Sequence, residues 1–150
     1  MRLIMNRRAD LEEPEVTLAY REMTEGVKRV SDFVKSLDRT ILCKKENEEY
    51  EVAVSDIFYI ESVDKKSFVY CEKEVFQCSY RLYELEELLP SYFMRVSKSG
   101  ILNTRQIFSI DKNLYASSTV CFRRSHKQVF VSRHYYKPLI EKLESKRTLT

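Results

Sequence analysis

Three clusters in the second half of the 150-residue chain carry side chains suited to gripping phosphate and reading base edges. The first is Ser97-Lys98-Ser99-Gly100, with Arg95 just before it and Asn103, Thr104 and Arg105 just after. Serine hydroxyls and backbone amides suit phosphate oxygens, lysine suits a phosphate or a guanine edge, and Gly100 either admits a close ligand or makes a turn. The second is Arg123-Arg124-Ser125-His126-Lys127, in which the planar fork of an arginine matches O6 and N7 of guanine. The third is Val131-Ser132-Arg133-His134-Tyr135, where a strand runs into a helix. Amides at a helix start attract anions, and an arginine in the first turn opposes the helix dipole unless an anion or a base is its target. The competing reading of each cluster is an exposed turn, or a capped helix with a surface arginine.

Other chemistries lack their parts. His126 and His134 are the only histidines, and neither belongs to an HExxH or GxSxG pattern. Gly26 and Gly100 stand alone, so no Gly-rich phosphate loop exists. The carboxylates of Glu46 to Glu51 and Glu84 to Glu87 form charge runs of the solvated kind. Cys43, Cys71, Cys78 and Cys121 are separated by 28, 7 and 43 positions, which fits no paired zinc-ligand spacing. The expectation is a non-enzyme with no metal, no cofactor and no small-molecule substrate, its thiols acting as buried hydrophobes in a reducing compartment.

The net charge of +3 conceals two opposite halves. Residues 1–90 hold 14 Lys and Arg against 20 Asp and Glu, whereas residues 91–150 hold 12 against 3. An excess of nine positive charges over 60 residues, interspersed with Ser, Asn, Gln and Thr, is what a polyphosphate-binding surface needs, because neutralised phosphates release condensed counterions. Nucleic acid is the leading partner. A solvated basic face, or one that docks an acidic protein, explains the charge equally well, and RNA is a third reading, with Tyr115, Phe122 and Phe130 as stacking platforms, although these rings suit a core better.

These clusters need elements to hold them. A length of 150 residues suits one ordinary domain with a short appendage; no membrane span or secretion signal is legible, and a cytoplasmic location follows. Glu15 to Tyr20 has strand character, and Met23, Val27, Val30, Val34 and Leu37 repeat at helical spacing after a start at Thr24 or Glu25. This strand-helix extension over 1–40 precedes a β-rich body over 41–150. Runs such as ILCK, YEVAV, DIFYIESV, SFVYC and VFQCS predict strands, with 57–79 as a three-stranded meander turning at Asp64-Lys65-Lys66 and Glu72-Lys73-Glu74. SYRLYELEELLP predicts a short helix capped by Ser79 and stopped by Pro90, followed by strands at FMRVS, QIFSID, LYASSTVCF and QVFVS. Ser132 is placed to cap a last helix through His134 to Lys146. The basic half thus reads as strands and loops, with no helix-turn-helix.

The stretches DIFYIESVDKKSFVYC, RLYELEELL, FMRVSKSGILNTRQIFSI and QVFVSRHYYKPL, in this order over about 41–143, resemble the LytTR DNA-binding domain of bacterial transcriptional regulators. The resemblance implies a mainly β, elongated fold with a few helices, whose loops enter successive major grooves of double-stranded DNA at paired direct repeats. It implies transcription regulation, not catalysis. Base contacts would fall on Lys98, Arg124 and Arg133, and phosphate contacts on Ser97, Ser99 and Arg105, with Arg95, Asn103, Arg123, Lys127 and Ser132 in the same motifs. Many members carry histidine where this chain has Ser97, and some carry asparagine at Arg124, which bears on the base sequence read and not on phosphate binding. The likeness is to the stand-alone branch without a receiver domain, for which a homodimer on DNA and an inhibitory membrane protein are the expected partners.

Overall fold

The computed structural model describes residues 1–37, 39–112, 118–123 and 125–147. Helix α1 (Glu25–Leu37) opens the regular structure. Thr24 caps it, its hydroxyl accepting the Val27 N–H at 3.3 Å and its carbonyl the Lys28 N–H at 3.0 Å. Then come β1 (Thr40–Lys45), β2 (Glu48–Ala53), β3 (Tyr59–Val63), β4 (Lys66–Tyr70) and β5 (Val75–Cys78). The short helix α2 (Leu82–Leu88) follows, begun at Arg81, whose N–H donates to Glu84 Oε1 at 3.1 Å. The expected cap, Ser79, lies outside that turn. Strands β6 (Phe93–Ser97), β7 (Gly100–Asn103), β8 (Ile107–Lys112), β9 (Ser118–Phe122) and β10 (Gln128–Val131) lead to α3 (Arg133–Arg147).

Seven strands form an antiparallel sheet in the order β2-β1-β5-β4-β3-β7-β6, and three form a second in the order β10-β9-β8. The predicted meander is present as β3, β4 and β5. Strand β7 was not foreseen. All four of its residues are buried, and alternate ones enter different cores. Ile101 joins Ile41, Ile60, Val69, Phe76 and Leu85 under α2, while Leu102 joins Phe58, Val96, Val120, Val131 and Leu139 between the sheets and α3. Two-sided burial removes the polar alternation that marks a half-exposed strand. Asn103 ends β7, its side-chain amide donating to the Ile57 carbonyl at 2.9 Å and its Oδ1 accepting the Arg105 N–H at 2.9 Å.

The expected strand over Glu15–Tyr20 does not form: the segment has no ladder partner, and Val16 and Tyr20 are exposed. β-propensity records a fit to neighbouring strands and lapses without them. In α1 the predicted stripe is only partly covered, since Val27, Val30 and Val34 are half-buried whereas Met23 and Leu37 are exposed. The four thiols are free, and burial pushes Cys43 and Cys71 up to about 12. No described helix is long and apolar enough to cross a membrane.

Gly100 has an ordinary negative-side backbone angle, and its necessity is steric. A Cβ there would stand 2.4 Å from Tyr59 Oη and 2.8 Å from the ring, whereas at Gly26 the nearest atom would be 3.6 Å away. Gly100→Ala is therefore expected to destabilise the fold by about 1–3 kcal/mol through overpacking. Gly26→Ala, inside α1, should be neutral or stabilising by up to about 1 kcal/mol. Urea unfolding midpoints check both, and equal midpoints for the two variants would contradict the steric account.

Candidate nucleic-acid interface

The β6–β7 connection is a tight turn with Ser97 opposite Gly100 and Lys98 and Ser99 at its tip. Ser97 Oγ accepts the Ser99 N–H at 3.2 Å, which fixes the turn from inside. The Ser99 carbonyl accepts the Ser62 N–H at 2.8 Å, so the tip is tied to the end of β3. Lys98 is left pointing into solvent. On the other side, the Ser132 N–H donates to the Val96 carbonyl at 2.8 Å, and the Ser132 carbonyl accepts the N–H groups of Tyr135 and Tyr136, each at 3.0 Å. Ser132 thus occupies the cap position of α3 while clamping that helix to β6, one residue before Ser97. Arg133 follows as the first, exposed residue of α3, and no ion pair or hydrogen bond among the described residues engages its guanidinium.

Between these anchors runs an open groove of about 500 Å³, with Ser97 and Ser99 on one bank, Lys127, Phe130 and Ser132 on the other, and Tyr59 and Glu61 in its floor. Lys127 is held by the floor: its Nζ lies 4.3 Å from the centre of the Tyr70 ring and 3.9 Å from Glu61 Oε2. Tyr70 donates its hydroxyl to that same carboxylate oxygen at 3.1 Å. Burial and the Glu61 charge push both Tyr59 and Tyr70 up, so the phenols remain neutral donors. Phe130, 70% exposed, offers an apolar edge beside the cations.

The structure brings together Ser97, Lys98, Ser99, Lys127, Ser132 and Arg133. It separates the others. Asn103 is 1% exposed with its side chain bonded internally. Arg105 lies between two rings, its guanidinium carbon 4.6 Å from the centre of Phe33 and 4.1 Å from that of Tyr92, and it donates to the Arg29 carbonyl at 3.3 Å. The sequence reading expects a phosphate contact there; in the fold Arg105 links α1 to the body. Arg95 turns toward α2, with Nη1 3.2 Å from Glu86 Oε1. Arg123 is exposed but borders a different cleft. Arg124 and Tyr115 lie outside the described residues. Phe122, weighed as an RNA stacking platform but expected in the core, is buried against Phe58 with ring centres 5.8 Å apart.

Two cations were overlooked. The β3–β4 turn holds Asp64 and Lys65 at φ 50° and 65°, and Arg81 Nη1 donates to the Lys65 carbonyl at 3.0 Å. Because Glu61 of β3 pairs with Gly100 of β7, this turn and the exposed Lys65 and Lys66 sit at the same sheet edge as Lys98. The turn itself is legible in the sequence; its neighbour is not, since β3 and β7 are far apart along the chain. Among the described residues no cluster of His, Cys, Asp and Glu stands at metal-binding distance.

Comparison with known proteins gives a consistent picture. The family model of the LytTr DNA-binding domain matches residues 47–144. An uncharacterised HTH-type transcriptional regulator of Staphylococcus aureus strain NCTC 8325 is 27% identical over 147 residues, covering 95% of this chain and 98% of its own. A second from strain MSSA476 is 29% identical over 126 residues, covering 81% and 84%. Among solved structures, a LytTr DNA-binding domain from Bacillus cereus matches with a TM-score of 0.63 at 27% identity, over 69% of this chain and 97% of that one. The HTH in the relatives' description has no counterpart here, because no two described helices are consecutive elements.

The seat of Arg105 generates a prediction. Arg105→Ala should lower amide protection across 25–37 by a factor of about 10, the loss expected when two cation–π contacts of about 0.5–2 kcal/mol are removed. The salt dependence of DNA binding should be unchanged. Hydrogen exchange and anisotropy titrations read the two, and a flattened salt slope with unaltered protection would return Arg105 to a phosphate.

Proposed function

Since the chain belongs to the LytTR DNA-binding domain family, we propose that it regulates transcription by sequence-specific binding of duplex DNA, inserting the Lys98 turn and the entrance of α3 into the major groove. The observation that carries the reading is the Ser132–Val96 hydrogen bond. It brings Lys98 and Arg133, contributed by segments over 30 positions apart in sequence, to one edge of a rigid scaffold. Lys98 and Arg133 are the base readers in this proposal, with Phe130 available to a thymine methyl. Ser97, Ser99, Lys66 and Lys127 act on the phosphates that fix register. Arg124 remains a proposed reader at the hairpin tip. Paired direct repeats bound by two copies, with half-sites about one helical turn apart, complete the reading.

The alternative of a basic face for an acidic protein accounts for charge but not for the serine-lined groove between two cations. RNA stacking is left with Phe130 as its one described exposed ring of the three first considered.

Selection of bound duplexes from a random pool supplies the cognate site, and anisotropy with salt titration tests it. Arg133→Ala and Lys98→Ala should each cost about 1–3 kcal/mol on the selected site and relax discrimination there. Lys66→Ala should weaken all duplexes alike and flatten the salt slope by about one unit. Equal losses on every sequence for all three variants, or tighter binding of single-stranded RNA than of duplex, would overturn the assignment.

A further inference from the structure

A second, larger cleft of about 830 Å³ opens between α1, β8 and the far half of α3, and it shares no lining residue with the groove. Its volume falls in the range of small-molecule sites. One wall is apolar, built from Ile107, Ile110, Ile140 and Leu143. Five cations also line it, Lys28 and Arg29 from α1 with Arg105, Arg123 and Lys142, against three carboxylates, Glu25, Asp32 and Glu144. Asp32 accepts the Ser91 hydroxyl at 3.3 Å, and the Lys142 ammonium donates to the Ser91 carbonyl. The positive charge is crowded. Burial pushes Arg105 and Lys142 down and the Arg29 charge adds to this in both, while Tyr92 and Asp32 pull Arg105 back up. An anion placed among them would relieve that repulsion.

We propose that this cleft binds a small organic anion with an apolar body, and that its occupancy is felt at the DNA-binding end of α3. No histidine or cysteine lines the cleft, and the ligand is proposed as an effector. The second half of the proposal rests on the function proposed above. Lys142 and Leu143 stand on the same helix as Arg133, about 13 Å along its axis at 1.5 Å per residue. The opposite wall is α1, which Arg105 ties to the body. A ligand that bridges the two helices favours one setting of α3, and whatever it does to DNA affinity, DNA must do to its own affinity by the same factor.

The test uses the full chain without DNA and 1-anilinonaphthalene-8-sulfonate as the probe, with neutral N-phenyl-1-naphthylamine and inorganic sulfate as the separated halves of its chemistry. Saturable binding of one probe per chain is expected, at least tenfold tighter than either half. The double variant K28E/R123E should weaken it at least tenfold with an unchanged urea midpoint, while Lys66→Glu, at the DNA edge, should leave it intact. Absent saturation, equal affinity for the neutral compound, or indifference to K28E/R123E would overturn the site. A duplex titration with and without saturating probe then reads the coupling. Unequal Kd values support it, equal values with probe bound remove the coupling and keep the site, and no duplex binding at all removes the proposed function while the probe result stands on its own.

Discussion

A four-residue strand buried on both faces governs the arrangement of everything that touches a partner. Strand β7 has no solvent side: Ile101 is locked in one core and Leu102 in the other, so it can neither slide nor rotate without exposing one of them. Its entrance fixes the Lys98 turn, because Gly100 sits under the Tyr59 ring where no other side chain fits. Its exit fixes Asn103, whose two internal bonds set the backbone that delivers Arg105 to the rings of Phe33 and Tyr92. One short element thus sets the position of the proposed DNA edge at one end and the seat of α1 at the other.

The cations at the DNA edge are arranged by contacts that leave their charge available. Lys127 rests on Tyr70 and near Glu61, and the same carboxylate is already satisfied by the Tyr70 hydroxyl, so a phosphate can draw the ammonium away without stranding Glu61. The backbone beside Lys98 and Arg133 is fixed by bonds of their neighbours, from Ser99 N–H to the Ser97 hydroxyl and from Ser132 N–H to the Val96 carbonyl. Fixing backbones while leaving side chains free limits the ordering cost of binding to the side chains themselves. Carboxylates concentrate elsewhere, on β2 and α2, which keeps like charge away from an approaching polyanion.

Elements with a one-sided environment were legible in the sequence, and those with a two-sided or absent one were not. The meander and the helices α2 and α3 show their period because one face of each is wet. GILN reads as a loop because burial on both faces erases alternation and Gly100 precedes it. EVTLAY reads as a strand because composition reports what a sheet would accept, and no sheet edge accepts it here. The site divides in the same way. Residue type singles out Lys98, Ser132 and Arg133, which the fold gathers at one end of the sheet, but direction is a property of packing. Asn103 and Arg105 share the motif and point inward, while Lys65 and Lys66 lie outside it and arrive at the edge through the pairing of β3 with β7.

The proposed reading of DNA by turns from strands, rather than by a helix, has a physical consequence for control. A recognition helix carries its contacts on one rigid rod, so an effector must move the whole rod. The two proposed reading points belong to different elements, the β6–β7 turn and α3, joined by the backbone hydrogen bond from Ser132 to Val96. Helix α3 packs on β6 through Tyr135, Tyr136 and Leu139, and further along lines the cleft that faces α1. A small shift of this helix would change the separation of Arg133 from Lys98 and would repack Leu139 in the core between the sheets. Groove contacts need matched spacing at both points, so such a shift would weaken the proposed binding. The partly covered helix α1, with its exposed Phe33 and Leu37, forms the opposite wall of that cleft.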